Sequence, residues 1–82
     1  MTRAYITVIV ETTPTGDVFP KMLCLDDGRH IPIDGRLESP KRHRAKDGSD
    51  AWRFPCMIEG RPVTLYHDVI EHRWWIDRRD AR

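Results

Sequence analysis

Trp52-Arg53-Phe54-Pro55-Cys56-Met57-Ile58-Glu59-Gly60-Arg61-Pro62-Val63-Thr64-Leu65-Tyr66-His67 is the stretch that decides the fold. Trp52, Phe54, Cys56 and Ile58 alternate with Arg53, Pro55, Met57 and Glu59, the period of two that sends every second side chain to one face of a strand. Glu59-Gly60 reads as a tight turn. Beyond it Val63, Leu65 and His67 alternate with Pro62, Thr64 and Tyr66. The sequence therefore predicts a β-hairpin with one apolar face, which needs other strands to cover it.

Working outward, those strands are present on both sides. Towards the C-terminus, His67-Asp68 opens a connection whose centre, Val69-Ile70-Glu71, has room for one helical turn, and Arg73-Trp74-Trp75-Ile76-Asp77 is a last strand. Residues 78–82 are polar and are expected to fray. Towards the N-terminus, Tyr5-Ile6-Thr7-Val8-Ile9-Val10 is β-branched or aromatic throughout, and Thr12 to Asp17 is a turn by composition. Val18 to Leu25 alternates with Phe19, Leu23 and Leu25 on one face and Val18, Met22 and Cys24 on the other, beside Pro20. Proline cannot donate to a ladder, so Pro20 predicts an edge or a bulge, and Pro20 and Pro32 together would guard an exposed edge. Asp26-Asp27-Gly28-Arg29 is a hairpin turn, expected as type I′ from its Asp-Gly pair, and His30 to Asp34 a short strand. Residues 39–50 show no apolar period and read as one long loop.

Six short strands and no amphipathic helix predict an all-β domain over residues 1–77. It is a small antiparallel six-stranded meander that closes into an SH3-like barrel or a strongly coiled sheet. The expected core is Ile6, Val8, Val10, Leu23, Leu25, Ile33, Trp52, Phe54, Cys56, Ile58, Val63, Leu65, Trp74 and Ile76.

Composition narrows the function classes. Eighty-two residues make one domain, and 39% hydrophobic residues with seven aromatics argue against disorder. Fourteen Lys and Arg against thirteen Asp and Glu leave a net charge of +1, which excludes a histone-like basic binder; a 33% charged chain also predicts no membrane span. No apolar leader followed by small residues appears at the start, so a cytoplasmic protein is expected. Cys24 and Cys56 are too few for a disulfide scaffold and read as two buried thiols; a bridge between them would need Cα atoms within roughly 7 Å.

Chemistry has little to work with. His30, His43, His67 and His72 match no zinc spacing, so no metal and no cofactor is expected. The carboxylates sit in turns, and an interior filled by its own side chains leaves no pocket for a general acid–base pair. No nucleophile elbow, phosphate-cradling glycine loop or His-Glu-x-x-His is present, and the expectation is a protein that is not an enzyme. One cluster stands out. Lys41, Arg42, Arg44 and Lys46 surround His43, and they tilt the charge: residues 1–39 hold four basic and six acidic groups, net −2, while residues 40–82 hold ten and seven, net +3. A basic loop beside rings that the alternation leaves off the core face, Tyr66 and Trp75 above all, suits phosphates and stacked bases. The expected role is thus a binding or accessory module with nucleic acid as first candidate partner. The alternative is a protein-interaction module or homodimer that pairs through a strand edge.

Asp27-Gly28-Arg29 with Ile33-Asp34 and Leu37, then Arg53-Phe54 and Cys56 to Gly60, Leu65-Tyr66 and Arg73-Trp74-Trp75-Ile76, resembles a family of small uncharacterised bacterial all-β proteins with an Asp-Gly-Arg hairpin and an Arg-Trp-aromatic final strand. The resemblance covers about the last two-thirds of the chain and implies a meander. It carries over no activity, cofactor or catalytic residue. The chain departs from that pattern at Lys41 to Lys46, where it is more basic.

Overall fold

Alternating segments of this kind form eight strands in the computed structural model, which describes residues 2–44, 48 and 50–80. They are β1 (Arg3–Thr12), β2 (Val18–Cys24), β3 (His30–Pro32), β4 (Gly35–Arg36), β5 (Lys41–Arg44), β6 (Asp50–Ile58), β7 (Arg61–Asp68) and β8 (Arg73–Asp77). All pairing is antiparallel, in the order β3-β2-β1-β8-β7-β6-β4, with β5 also on β6. The result is an all-β, strongly coiled sheet that curls into a half-barrel. First and last strands meet: β1 pairs β8 from Arg3↔Asp77 to Ile6↔Trp74. The chain steps from one end of the sheet to the other over two residues, Ile33 and Asp34, whose N–H groups donate to Lys21 C=O and Met57 C=O.

Turn chemistry explains the hairpins. Glu59 and Gly60 both have positive φ, 51° and 77°, between the paired residues Ile58 and Arg61, which is the two-residue turn that matches strand twist. The Asp26–Arg29 turn differs from the type I′ expectation. Gly28 N–H donates to Leu25 C=O, Leu25 N–H donates to Arg29 C=O, and in this turn only Gly28 is left-handed, at 89°. This is a three-residue loop whose glycine takes the left-handed step. Between β7 and β8, Asp68 Oδ1 accepts from the N–H groups of Ile70 and Glu71, and Asp68 C=O accepts from His72, closing one turn.

The core gathers Leu23, Phe54, Cys56, Ile58, Val63, Leu65, Trp74 and Ile76, with Ala4, Ile6, Val8, Val18, Ile31, Ile33 and Trp52 packed around them. Two expected members fall outside. Val10 is 38% exposed because it lies past Ile6, where β8 stops supporting β1; Leu25 is half-buried at the entry to its turn. A bulge accounts for a further difference. Ile9 pairs Met22 but Val10 pairs Pro20, so Lys21 is an extra residue, and the slip brings Val18 and Pro20 onto the face of Leu23. Pro20 is buried beside that bulge, in the part of β2 that pairs β1 alone among the described residues.

Three other expectations need correction. Residues 41–44 are a strand and not part of a loop, because β6 extends back to Asp50 and supplies a ladder for them. Gly35 and Arg36 form a separate short strand on the same side of β6. The tail is tied down as far as Asp80: Arg78–Asp80 is a 3₁₀ turn, Arg78 N–H donates to Thr2 C=O and Arg61 Nη2 to Asp80 C=O at 2.8 Å. Both cysteines are free, Cys56 buried and Cys24 half-buried. Among the described residues no helix is long and apolar enough to cross a membrane.

Candidate nucleic-acid interface

β5 sets Lys41, Arg42, His43 and Arg44 opposite Arg53, Trp52, Ala51 and Asp50. Strand alternation then splits the basic run. Lys41 and His43 share the outer face with Arg53, while Arg42 and Arg44 share the face of Trp52. Lys41, Arg42 and Arg44 are all exposed. Lys46 lies outside the described residues.

Each cation has distinct surroundings. Arg42 donates through Nε and Nη2 to the two carboxylate oxygens of Asp50, the first at 3.3 Å, and its guanidinium sits 5.5 Å from the centre of the Trp52 ring. The hydrogen bond from Arg42 holds the Asp50 carboxyl below its ordinary range, against the cost of burial and with help from the charges of Arg42 and Arg44. Lys41 Nζ is 4.0 Å from Glu38 Oε1. The Lys41–Glu38 pair is exposed and weak in water, so a phosphate can compete for Lys41, whereas Arg42 is held at two points by half-buried Asp50.

On the outer face the register lines up Lys41, Arg53, Tyr66, Trp75 and Tyr5 across five strands. Tyr66 stacks on Trp75 with centroids 5.4 Å apart and planes 9° from parallel, and His43 meets Tyr66 edge-on at 5.2 Å. Arg3 lies 4.2 Å from the Trp75 ring and Arg73 3.6 Å from the Tyr5 ring. Trp75 is off the core face, as its alternation predicts, yet it is only 2% exposed. Its rings are occupied by Tyr66 and Arg3, which leaves no face for a base. Half-buried Tyr66 and Tyr5, 46% exposed, are the rings that reach solvent. Trp75 Nε1 and Arg53 Nε are buried with no hydrogen-bond partner among the described residues. Arg3, Arg53 and Arg73 were not singled out from sequence; only the cross-strand register reveals that they share a face with the aromatic row.

The end of the half-barrel holds a feature that periodicity does not announce. A cavity of about 400 Å³ opens between aromatic Trp52, Phe54 and His67, aliphatic Val18, Pro40 and Val69, and charged Asp17 and Arg36. The interior is therefore not wholly filled by its own side chains. His67 stacks on Trp74 at 4.5 Å and 28°, and burial, then the neighbouring His72, pushes its imidazole below the usual histidine range although Asp68 opposes this. Arg36 spreads its guanidinium 4.6 Å from the Phe19 ring. Among the described residues Asp17 is the one carboxylate lining the cavity. Among the described residues no three of His, Cys, Asp and Glu converge as metal ligands.

No protein-family model, curated protein or solved structure matches the chain.

Proposed function

We propose that this protein is a non-enzymatic cytoplasmic binding module that contacts nucleic-acid phosphates through β5. The observation that carries the reading is an outermost strand, β5, whose exposed Arg42 and Arg44 share the face of Trp52 while exposed Lys41 shares the opposite face with Tyr66. Phosphates supply affinity and ring faces add about 1–3 kcal/mol for each stacked base. The net charge of +1 makes the interaction weak and local, confined to the basic end of the molecule. The test is charge reversal. Lys41→Glu with Arg42→Glu weakens binding of a labelled oligonucleotide about equally for every sequence, and unchanged binding refutes the role of β5.

A second reading rests on a different observation. β8 pairs β1 only as far as Ile6, and beyond it Val8-Ile9-Val10-Glu11-Thr12 pairs β2 alone among the described residues. Ile9 and Val10 are 48% and 38% exposed, and no proline interrupts the segment. An open, β-branched edge of this kind accepts another strand, and two copies related by a two-fold axis satisfy each other. Sedimentation at two concentrations separates the readings. A dimer that dissociates on Val10→Lys supports the edge, and a monomer at both concentrations removes it.

A further inference from the structure

The cavity at the end of the half-barrel adjoins β5 through one residue: Trp52 lines it and also lies beside the Arg42 guanidinium. Its lining combines the rings of Trp52, Phe54 and His67 with the aliphatic Val18, Pro40 and Val69, and its volume of about 400 Å³ falls within the range of small-ligand pockets. Among the described residues the lining carries one charge of each sign, Arg36 and Asp17, and beside it Arg42 is paired with Asp50. An anionic group is drawn towards Arg36, and the donor edge of a ring towards Asp17.

We infer that this cavity receives one unstacked base of a single strand whose phosphates follow Arg36, Arg42 and Arg44. The inference rests on the nucleic-acid reading of β5 and goes beyond it by specifying strandedness. A duplex keeps its bases stacked and paired, and extruding one costs free energy that a single strand does not owe. β5 alone would bind both forms through their phosphates; the cavity adds a contact that only the single strand makes readily.

The experiment is a fluorescence-anisotropy titration with a labelled 12-nucleotide single strand, a hairpin duplex of the same composition and a nucleoside monophosphate competitor. The wild type is expected to prefer the single strand by at least about tenfold, the value of one good stack. Val69→Trp is designed to plug the mouth from a residue that is 39% exposed, and the preference is expected to fall to about one. Trp52→Leu, with its fold checked by thermal melting, removes the aromatic wall and lowers the preference in the same direction. Equal affinity for both forms in the wild type, or a preference that survives Val69→Trp, overturns the cavity while leaving the phosphate reading intact. Binding of neither form overturns both. A monophosphate that binds as tightly as the strand refutes the strand as the occupant.

Discussion

Leu65 has no exposed surface, pairs Phe54 across the hairpin and sits in the core cluster with Trp74 and Ile76. Leu65→Ala removes three carbons from a site walled by strands, which cannot collapse inward freely. Buried leucine truncations of this sort cost about 2–5 kcal/mol through lost transfer energy plus the cavity left behind. An 82-residue domain has only about 4–12 kcal/mol to lose, so the variant keeps a fraction of its stability. At about 4–8 °C per kcal/mol the melting temperature falls by more than about 8 °C. The assay is urea unfolding followed by tryptophan fluorescence, with the midpoint shifting and the slope unchanged. Ile70→Ala is the control, an aliphatic truncation of similar size at a residue 80% exposed, expected to change stability by less than about 0.5 kcal/mol. Similar losses for the two variants would refute the assignment of the apolar face of β7.

Other outcomes follow from single contacts. In the native protein one thiol, Cys24, reacts readily with a disulfide reagent, whereas Cys56 stays protected until the chain unfolds; burial pushes its thiol up to about 11 and its Sγ donates to Phe54 C=O at 3.2 Å. Two fast thiols would contradict this. Because the His67 imidazole is held below its unfolded value, the unfolded chain takes up the proton first; stability is full above about pH 6.5 and declines as pH falls through that value towards the lower folded one. The urea midpoint therefore drops between pH 7 and 5, and His67→Gln removes that part of the slope; an identical profile in the variant counts against a half-buried ring held neutral. Glu59 holds a left-handed backbone at 51° that asparagine adopts more easily, so Glu59→Asn raises stability by roughly 0.5 kcal/mol in thermal melts. A lower melting temperature would show that the turn tolerates glutamate for another reason.

Much of the fold was legible because burial has a period. Trp52 to His67 alternates without interruption, Glu59-Gly60 marks the only place where the chain can reverse, and the core of β6, β7 and β8 follows residue by residue. Legibility fails where a neighbour decides. Lys41 to Arg44 carries no apolar signal, and it becomes a strand only because β6 offers free ladder positions at Asp50 to Arg53. The extra residue at Lys21 inverts the faces of Val18 to Pro20; Pro20 signals an edge or a bulge there, but side-chain alternation does not say which residue is extra. The same holds for the site. The basic cluster was visible, but its division between two faces, the closure of Tyr66 and Arg3 over Trp75, and the cavity beside Trp52 depend on register between strands distant in sequence.

The most direct measurement is the salt dependence of single-strand binding. With Lys41, Arg42, Arg44 and Arg36 each neutralising one phosphate, the logarithm of the association constant falls with the logarithm of salt concentration at a slope of about −3, and Lys41→Glu with Arg42→Glu makes it markedly shallower. A slope near zero, or one that the double substitution leaves unchanged, would contradict an interface built on β5.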